Sequence, residues 1–411
     1  MTFQHARPRA RFNPFSAEFR RDPYPMYRDL RENRAAHKTL GMWVITRHAD
    51  VKAVLHDRGF SAGLIPQLVS EQAERLGLDG VDRIERLGRK SLVFTDNPDH
   101  ARLRGLVNRV FTTQAVAELR PIATDFTARV VARAQAAGSM DVIADLAAPL
   151  PVAVLGEWMA LPQTLREQIA AWTHDIRFLL EPGMMKAEDF IRAREVVEDF
   201  ATALADVLAA RRAAPGPDLI SRLLATRTAG GDALSDEELI FVCIMSFVAG
   251  NETTKSLIGN GALALLHHPD QAAALRRDPT LVKAAVTEAL RYDCPLQLTK
   301  RLSTRDVELG DQTIRAGDQV LVCLGAANRD PEVFLRPDEF DLVRGGAGHL
   351  AFGHGMHGCL GGLLAELLSE IAFAHLFELD LEPAVDEFEW QDNSFIVRGL
   401  RRLPVTIRSA V

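Results

Sequence analysis

The chain has 411 residues, is 47% hydrophobic and carries a formal net charge of −7. That charge argues against nucleic acid as a bulk partner, and near-ordinary Gly and Pro usage without low-complexity segments predicts that the whole chain folds. The four cysteines, Cys243, Cys294, Cys323 and Cys359, are far apart and form no C-x-x-C pair, which disfavours a disulfide framework or a zinc site.

The start, "MTFQHARPRARFNPFSAEF", lacks an apolar core of signal-peptide length. The longest apolar run, residues 239–250, is well below the roughly 20 residues of a membrane span. A soluble, cytoplasmic protein is expected. In chain order, "MWVIT" (42–46) predicts a short strand. Helical periodicity marks 115–137 and 187–213. A long helix begins at "SDEEL", where Ser235 can cap and Glu238 can complete a capping box, and it ends before Pro269. Its first half, "LIFVCIMSFVAG", is apolar on every face, as in a helix buried all round. "NETT" (251–254) then puts Glu252 and Thr253 in its middle, where a buried carboxylate requires a partner or a task.

Further on, 279–293 reads as a helix, 306–324 as strands with a turn inside, 325–350 as a long ordered meander, and 395–407 as a strand. Many helices, small sheets and no repeated βαβ unit predict a mostly α fold. With no Ser- or Pro-rich linker, one domain over 1–411 is expected.

Between the meander and the last helix lies "AFGHGMHGCLGG" (351–362). Gly353, Gly355 and Gly358 spell the dinucleotide fingerprint, but that motif needs a buried strand before it and a βαβ unit after it. "DLVRGGAGHLAF" is too broken by glycine for the strand, and only about 50 residues follow. Alternatively, the loop cradles Cys359. A helix N-terminus and nearby amides favour a thiolate, and a lone thiolate among glycines suits one axial position of a haem iron. The other three cysteines lie in apolar surroundings, as small core residues do.

The loop Phe352-Gly353-x-Gly355-x-His357-x-Cys359-x-Gly361 resembles the haem-binding loop of the cytochromes P-450. "AGNETT" (249–254) resembles the acid–Thr motif of that family's central helix, and "EALR" supplies its Glu-x-x-Arg as Glu288 and Arg291. "NPDHARLRGLVNRVF" (97–111) is similar to the helix crossing one haem edge, and "ANRDPEVF" and "PDEFD" to the meander. The resemblance implies the P-450 fold and haem b. Cys359 is the implied axial ligand, and His100, Arg104, Arg301 and His357 are the implied partners of the propionates. Glu252 and Thr253 are implied to deliver protons, with the small Ala249 and Gly250 leaving room for dioxygen. Where many relatives have Arg, this chain has Glu339, so Arg336 or Arg344 is expected to replace it.

The implied activity is a monooxygenase inserting one oxygen atom into a lipophilic small molecule. Electrons would come from a ferredoxin and an NAD(P)H-dependent reductase, with a basic patch near Arg102 and Arg109 as a candidate dock. The alternatives are a peroxide-driven peroxygenase and a haem-binding sensor, neither of which needs the acid–Thr pair. Leu64, Phe178, Met245, Leu296 and Phe395 are the expected pocket residues, drawn partly from a 62–93 loop.

Overall fold

The computed structural model describes residues 12–33, 36–176, 181–345, 348–392 and 394–408. Helices dominate, and three small sheets flank them. The first sheet joins β1 (Ala36–Thr39), β2 (Met42–Ile45), β3 (Phe60–Ser61), β5 (Leu298–Ser303) and β8 (Gln319–Cys323) in the order β1-β2-β8-β5-β3. Within it, β2 and β8 run parallel, with Trp43 opposite Val320, and the other pairings are antiparallel. The second joins β4 (Ser139–Asp141) and β9 (Leu381–Pro383) to either side of β10 (Pro404–Ile407). The third is the hairpin of β6 (Val307–Leu309) and β7 (Gln312–Ile314).

The organising element is the central helix, Asp236–His267, at 32 residues, or about 48 Å at 1.5 Å per residue. Its N-terminus forms the expected capping box between Ser235 and Glu238. From Leu239 to Leu265 none of its residues is exposed, and Phe241, Ile244, Phe247, Leu257 and Leu265 are fully buried. Helix Ala187–Ala213 matches its expected bounds. The 115–137 pattern instead divides into Thr113–Ala117 and Arg120–Ala137, the second helix carrying Pro121 in its first turn, where no amide partner is needed. The 279–293 segment is a short 3₁₀ turn followed by helix Val282–Tyr292.

Two expectations are corrected. Residues 62–93 are not a loop: they contain helices Leu64–Arg75 and Asp82–Lys90. The 395–407 strand is confined to Pro404–Ile407, while Val397 and Leu400 make isolated bridges to Leu296 and Trp390. Helix Asp82–Lys90 buries Ile84 and Leu87 inward. Outward it is held by ion pairs from Arg83 to Glu198 (2.8 Å), Arg86 to Glu237 (3.0 Å) and Lys90 to Glu237.

Beneath the glycine loop, Glu288 and Arg291 of helix Val282–Tyr292 face each other one turn apart and are almost fully buried. Arg291 donates to both Glu288 oxygens (2.8 and 2.7 Å) and to the carbonyls of Asn328, Pro337 and Glu339. The second cation is Arg344, whose Nε lies 3.0 Å from Glu288 Oε1. Arg336 instead pairs with Glu339 and Asp341 near the surface. Among the described residues no helix is long and apolar enough to cross a membrane.

Candidate functional site

Cys359 sits three residues ahead of helix Gly362–Leu376. Its amide donates to Phe352 O (2.8 Å), closing the loop on itself. Gly355 has φ +70°, and a Cβ there would come within 2.9 Å of Leu55 O, so the loop lies flush on helix His48–His56 only because that side chain is absent. Burial raises the Cys359 thiol above its ordinary pKa, while the amides of Gly361 and Gly362 and the charge of Arg104 pull it down. Those three groups favour the thiolate as a ligand. Cys243, Cys294 and Cys323 are wholly buried, and burial pushes Cys243 and Cys294 up to about 12, consistent with inert core thiols.

His100, on helix Asp99–Val107, and His357 bring their rings to 4.5 Å. Nε2 of His100 and both ring nitrogens of His357 are buried without a hydrogen-bond partner among the described residues. Burial, His357 and Arg104 lower His100 to about 4, so it is a neutral N–H donor near pH 7. Arg301, on β5, is buried, and among the described residues its acceptors are Thr299 Oγ1 (3.0 Å) and Lys300 O (2.7 Å). Burial lowers it to about 10, against the attraction of Asp96. A buried guanidinium and two imidazoles lacking acceptors fit a ligand that carries carboxylates.

Arg104 is tied to the cysteine loop. Its Nη1 donates to Gly358 O (2.8 Å) and its Nε to Asn108 Oδ1 (3.1 Å), beside the cysteine. Asp96 had not been singled out from sequence. Its Oδ1 lies 3.6 Å from His357 Nε2, and although burial opposes it, the nearby His357 ring and hydrogen bonds from Ser61 and the Ala62 amide hold it down at about 2. Its signal was its place in "FTDNPDH", just ahead of His100.

On the central helix Thr253 Oγ1 donates to Ala249 O (2.7 Å), keeping the hydroxyl on the helix surface. Glu252 is buried and takes an ion pair from Lys255 (2.6 Å) and a 3.4 Å hydrogen bond from Gln391 Nε2. Neither partner was apparent from sequence, although Lys255 lies three residues on, within helical reach. Met245, one turn before Ala249, and Val248 beside it wall an apolar cavity with Ile65, Val69, Ile84 and Leu87. Met245 was expected there. Leu64, Leu296 and Phe395 lie outside its walls, and Phe178 falls outside the described residues. Glu181, also missed, is buried and accepts the amides of Phe395 (3.0 Å) and Ile396 (3.2 Å).

The basic patch is corrected. Arg102 is occupied by Asp232 (2.7 Å) and Glu238 (2.7 Å), which raise its pKa, and only Arg109 of the pair is exposed.

A family model described as cytochrome P450 matches residues 163–398. The chain is 36% identical over 402 residues to the vitamin D(3) 25-hydroxylase of Pseudonocardia autotrophica, the match covering 96% of each chain. It is 34% identical over 403 residues to the 6-deoxyerythronolide B hydroxylase of Saccharopolyspora erythraea, covering 95% of this chain and 98% of that one. Among solved structures it is similar to CalO2, with TM-score 0.90 and 35% identity over 97% and 98% of the two chains. It is also similar to P450BioI in complex with an acyl carrier protein ligated to hexadec-9Z-enoic acid, with TM-score 0.86 and 32% identity over 95% and 100%.

Proposed function

The chain belongs to the cytochrome P450 family, and from that membership we propose that it oxidises a lipophilic small molecule with electrons from a ferredoxin. The family uses haem b with an axial cysteine thiolate, and its named relatives are monooxygenases and hydroxylases. Cys359 is the proposed ligand. Arg301, His100 and His357 are the proposed propionate partners. Arg104 has its Nη1 on Gly358 O, and its Nη2 is the donor left for a carboxylate. A haem held by these residues would supply dioxygen activation and oxygen insertion, with two electrons delivered from outside.

The protein's own part is to hold substrate and move protons. The cavity beside Met245 and Val248 is apolar, which favours lipophilic ligands. Thr253 orients a hydroxyl at the surface of the central helix, and Glu252 carries protons to it from the solvent side. The observation that carries this reading is the intact Glu252–Thr253 pair on the buried helix, since a peroxygenase or a sensor needs neither group.

The test measures product, peroxide and NADH consumed, using a surrogate ferredoxin and reductase. In Thr253→Ala, NADH consumption is expected to continue while product per NADH falls by about 10-fold or more and peroxide rises, within the range a positioned proton-transfer group contributes. Glu252→Gln is expected to slow turnover and enlarge the solvent isotope effect. Unchanged coupling in Thr253→Ala would remove the relay assignment, and strong activity with peroxide alone would favour the peroxygenase.

Arg301→Ala and Arg104→Ala are each expected to weaken haem retention by about 1.5–3 kcal/mol, the worth of a charge-assisted hydrogen bond. Transfer of haem to an acceptor protein measures this. Wild-type retention in the double variant would remove both residues from the site.

A further inference from the structure

On the face of the central helix that carries Glu252, polar residues recur at helical spacing: Glu252, Ser256 and Asn260. All three are buried, Ser256 at 0% and Asn260 at 2% exposure. Buried polar groups on a helix require partners. Ser256 Oγ and Asn260 Oδ1 have no hydrogen-bond partner among the described residues.

The stripe faces the C-terminal segment residue by residue. Glu252 meets Gln391 Nε2 at 3.4 Å. Ser256 Oγ abuts Gly399 so closely that a Cβ on that glycine would lie 2.2 Å from it. Asn260 Nδ2 donates to Arg398 O and to Asp293 O, each at 3.1 Å. Gln391, Arg398 and Gly399 in turn wall a narrow surface crevice with Arg20, Gln297 and Ser394. The same three residues therefore touch the buried stripe on one side and the crevice on the other.

We propose that this crevice is the route by which solvent protons reach Glu252, through waters held by Ser256 and Asn260 and a gate formed by Gln391. The proposal rests on the reading of Glu252 as a proton relay. Buried polar atoms without protein partners are the positions where internal water binds. Lys255 supplies the countercharge that a buried carboxylate requires, and it holds Glu252 on the crevice side between proton transfers. Gln391 and Ser256 are positioning residues: neither faces the reacting atoms, and both order the path that reloads Glu252.

The test uses the haem-loaded protein. A crystal structure is expected to show ordered water bonded to Ser256 Oγ and Asn260 Oδ1, and its absence would overturn the route. In Gln391→Leu and Ser256→Ala, dioxygen-driven product formation is expected to fall roughly 10-fold, less than the ~10² that loss of a transferring group itself costs. The solvent isotope effect is expected to rise. Gln391→Glu is expected to restore the rate, and peroxide, which brings its own protons, to relieve most of the loss. Glu252→Gln is measured in parallel. If it alone raises the isotope effect, the relay stands and the crevice route is wrong. If it behaves as wild type, the relay reading fails and the route fails with it.

Discussion

Replacing Cys359 with serine is expected to abolish the far red-shifted Soret band of the ferrous–CO complex and to reduce turnover below about 1% of wild type, beyond the 10–100-fold that loss of an outer partner of a metal ligand costs. The sulfur lies under the amides of Gly361 and Gly362 and beside Arg104, an environment that favours negative charge at that atom. A serine hydroxyl enters the same environment with a far higher pKa and remains a weak neutral donor. The fold should survive, because the loop is held by the Cys359 amide on Phe352 O and by Gly355 against Leu55, not by the side chain. Folded protein that kept the red-shifted band would mean that the ligand lies elsewhere.

The largest effect on stability is expected at Glu288. Glu288→Ala leaves Arg291 and Arg344 facing each other without a countercharge, with 0% and 9% of their side chains exposed. Breaking a buried ion pair from one side costs about 3–5 kcal/mol, a large share of a total near 5–15 kcal/mol. Guanidinium unfolding should show a lower midpoint, or the variant should fail to accumulate as folded protein. Arg344→Met, which leaves Glu288 paired with Arg291, should lose less. A Glu288→Ala midpoint equivalent to less than about 1 kcal/mol from wild type would contradict the network.

That network marks where sequence reading stops. The spacing of Glu288 and Arg291 was legible because helical neighbours are fixed by periodicity. The second cation was narrowed to Arg336 or Arg344 but not chosen between them, since Arg344 reaches Glu288 through the turns of the meander and no periodicity governs that path. The glycine loop and the Glu252–Thr253 pair were legible for a different reason: positive φ, close backbone approach and buried charge each restrict which residue types can stand there. Helix Asp82–Lys90 was hidden because its sequence, "DRIERLGRK", offers only Ile84 and Leu87 as an inward face. Lys255 and Gln391 were hidden because a lysine and a glutamine read as surface residues until the fold places a buried acid beside them. The break within 395–407 follows from tertiary pairing, in which Val397 and Leu400 each bridge a different segment.

Helix Asp82–Lys90 has a bearing on how the catalytic cycle ends. It closes the apolar cavity with two inward side chains and hangs on half-exposed ion pairs to Glu198 and Glu237, each worth under about 1 kcal/mol. Opening this cover breaks those pairs and exposes Ile84 and Leu87, and the cavity behind it offers few hydrogen-bonding groups. A molecule that gains a hydroxyl there becomes a poorer occupant than the one that entered, by the roughly 1–3 kcal/mol that an unsatisfied hydroxyl costs in apolar surroundings. In the proposed reaction, oxidation would then weaken the hold on its own product without any signal passing through the protein.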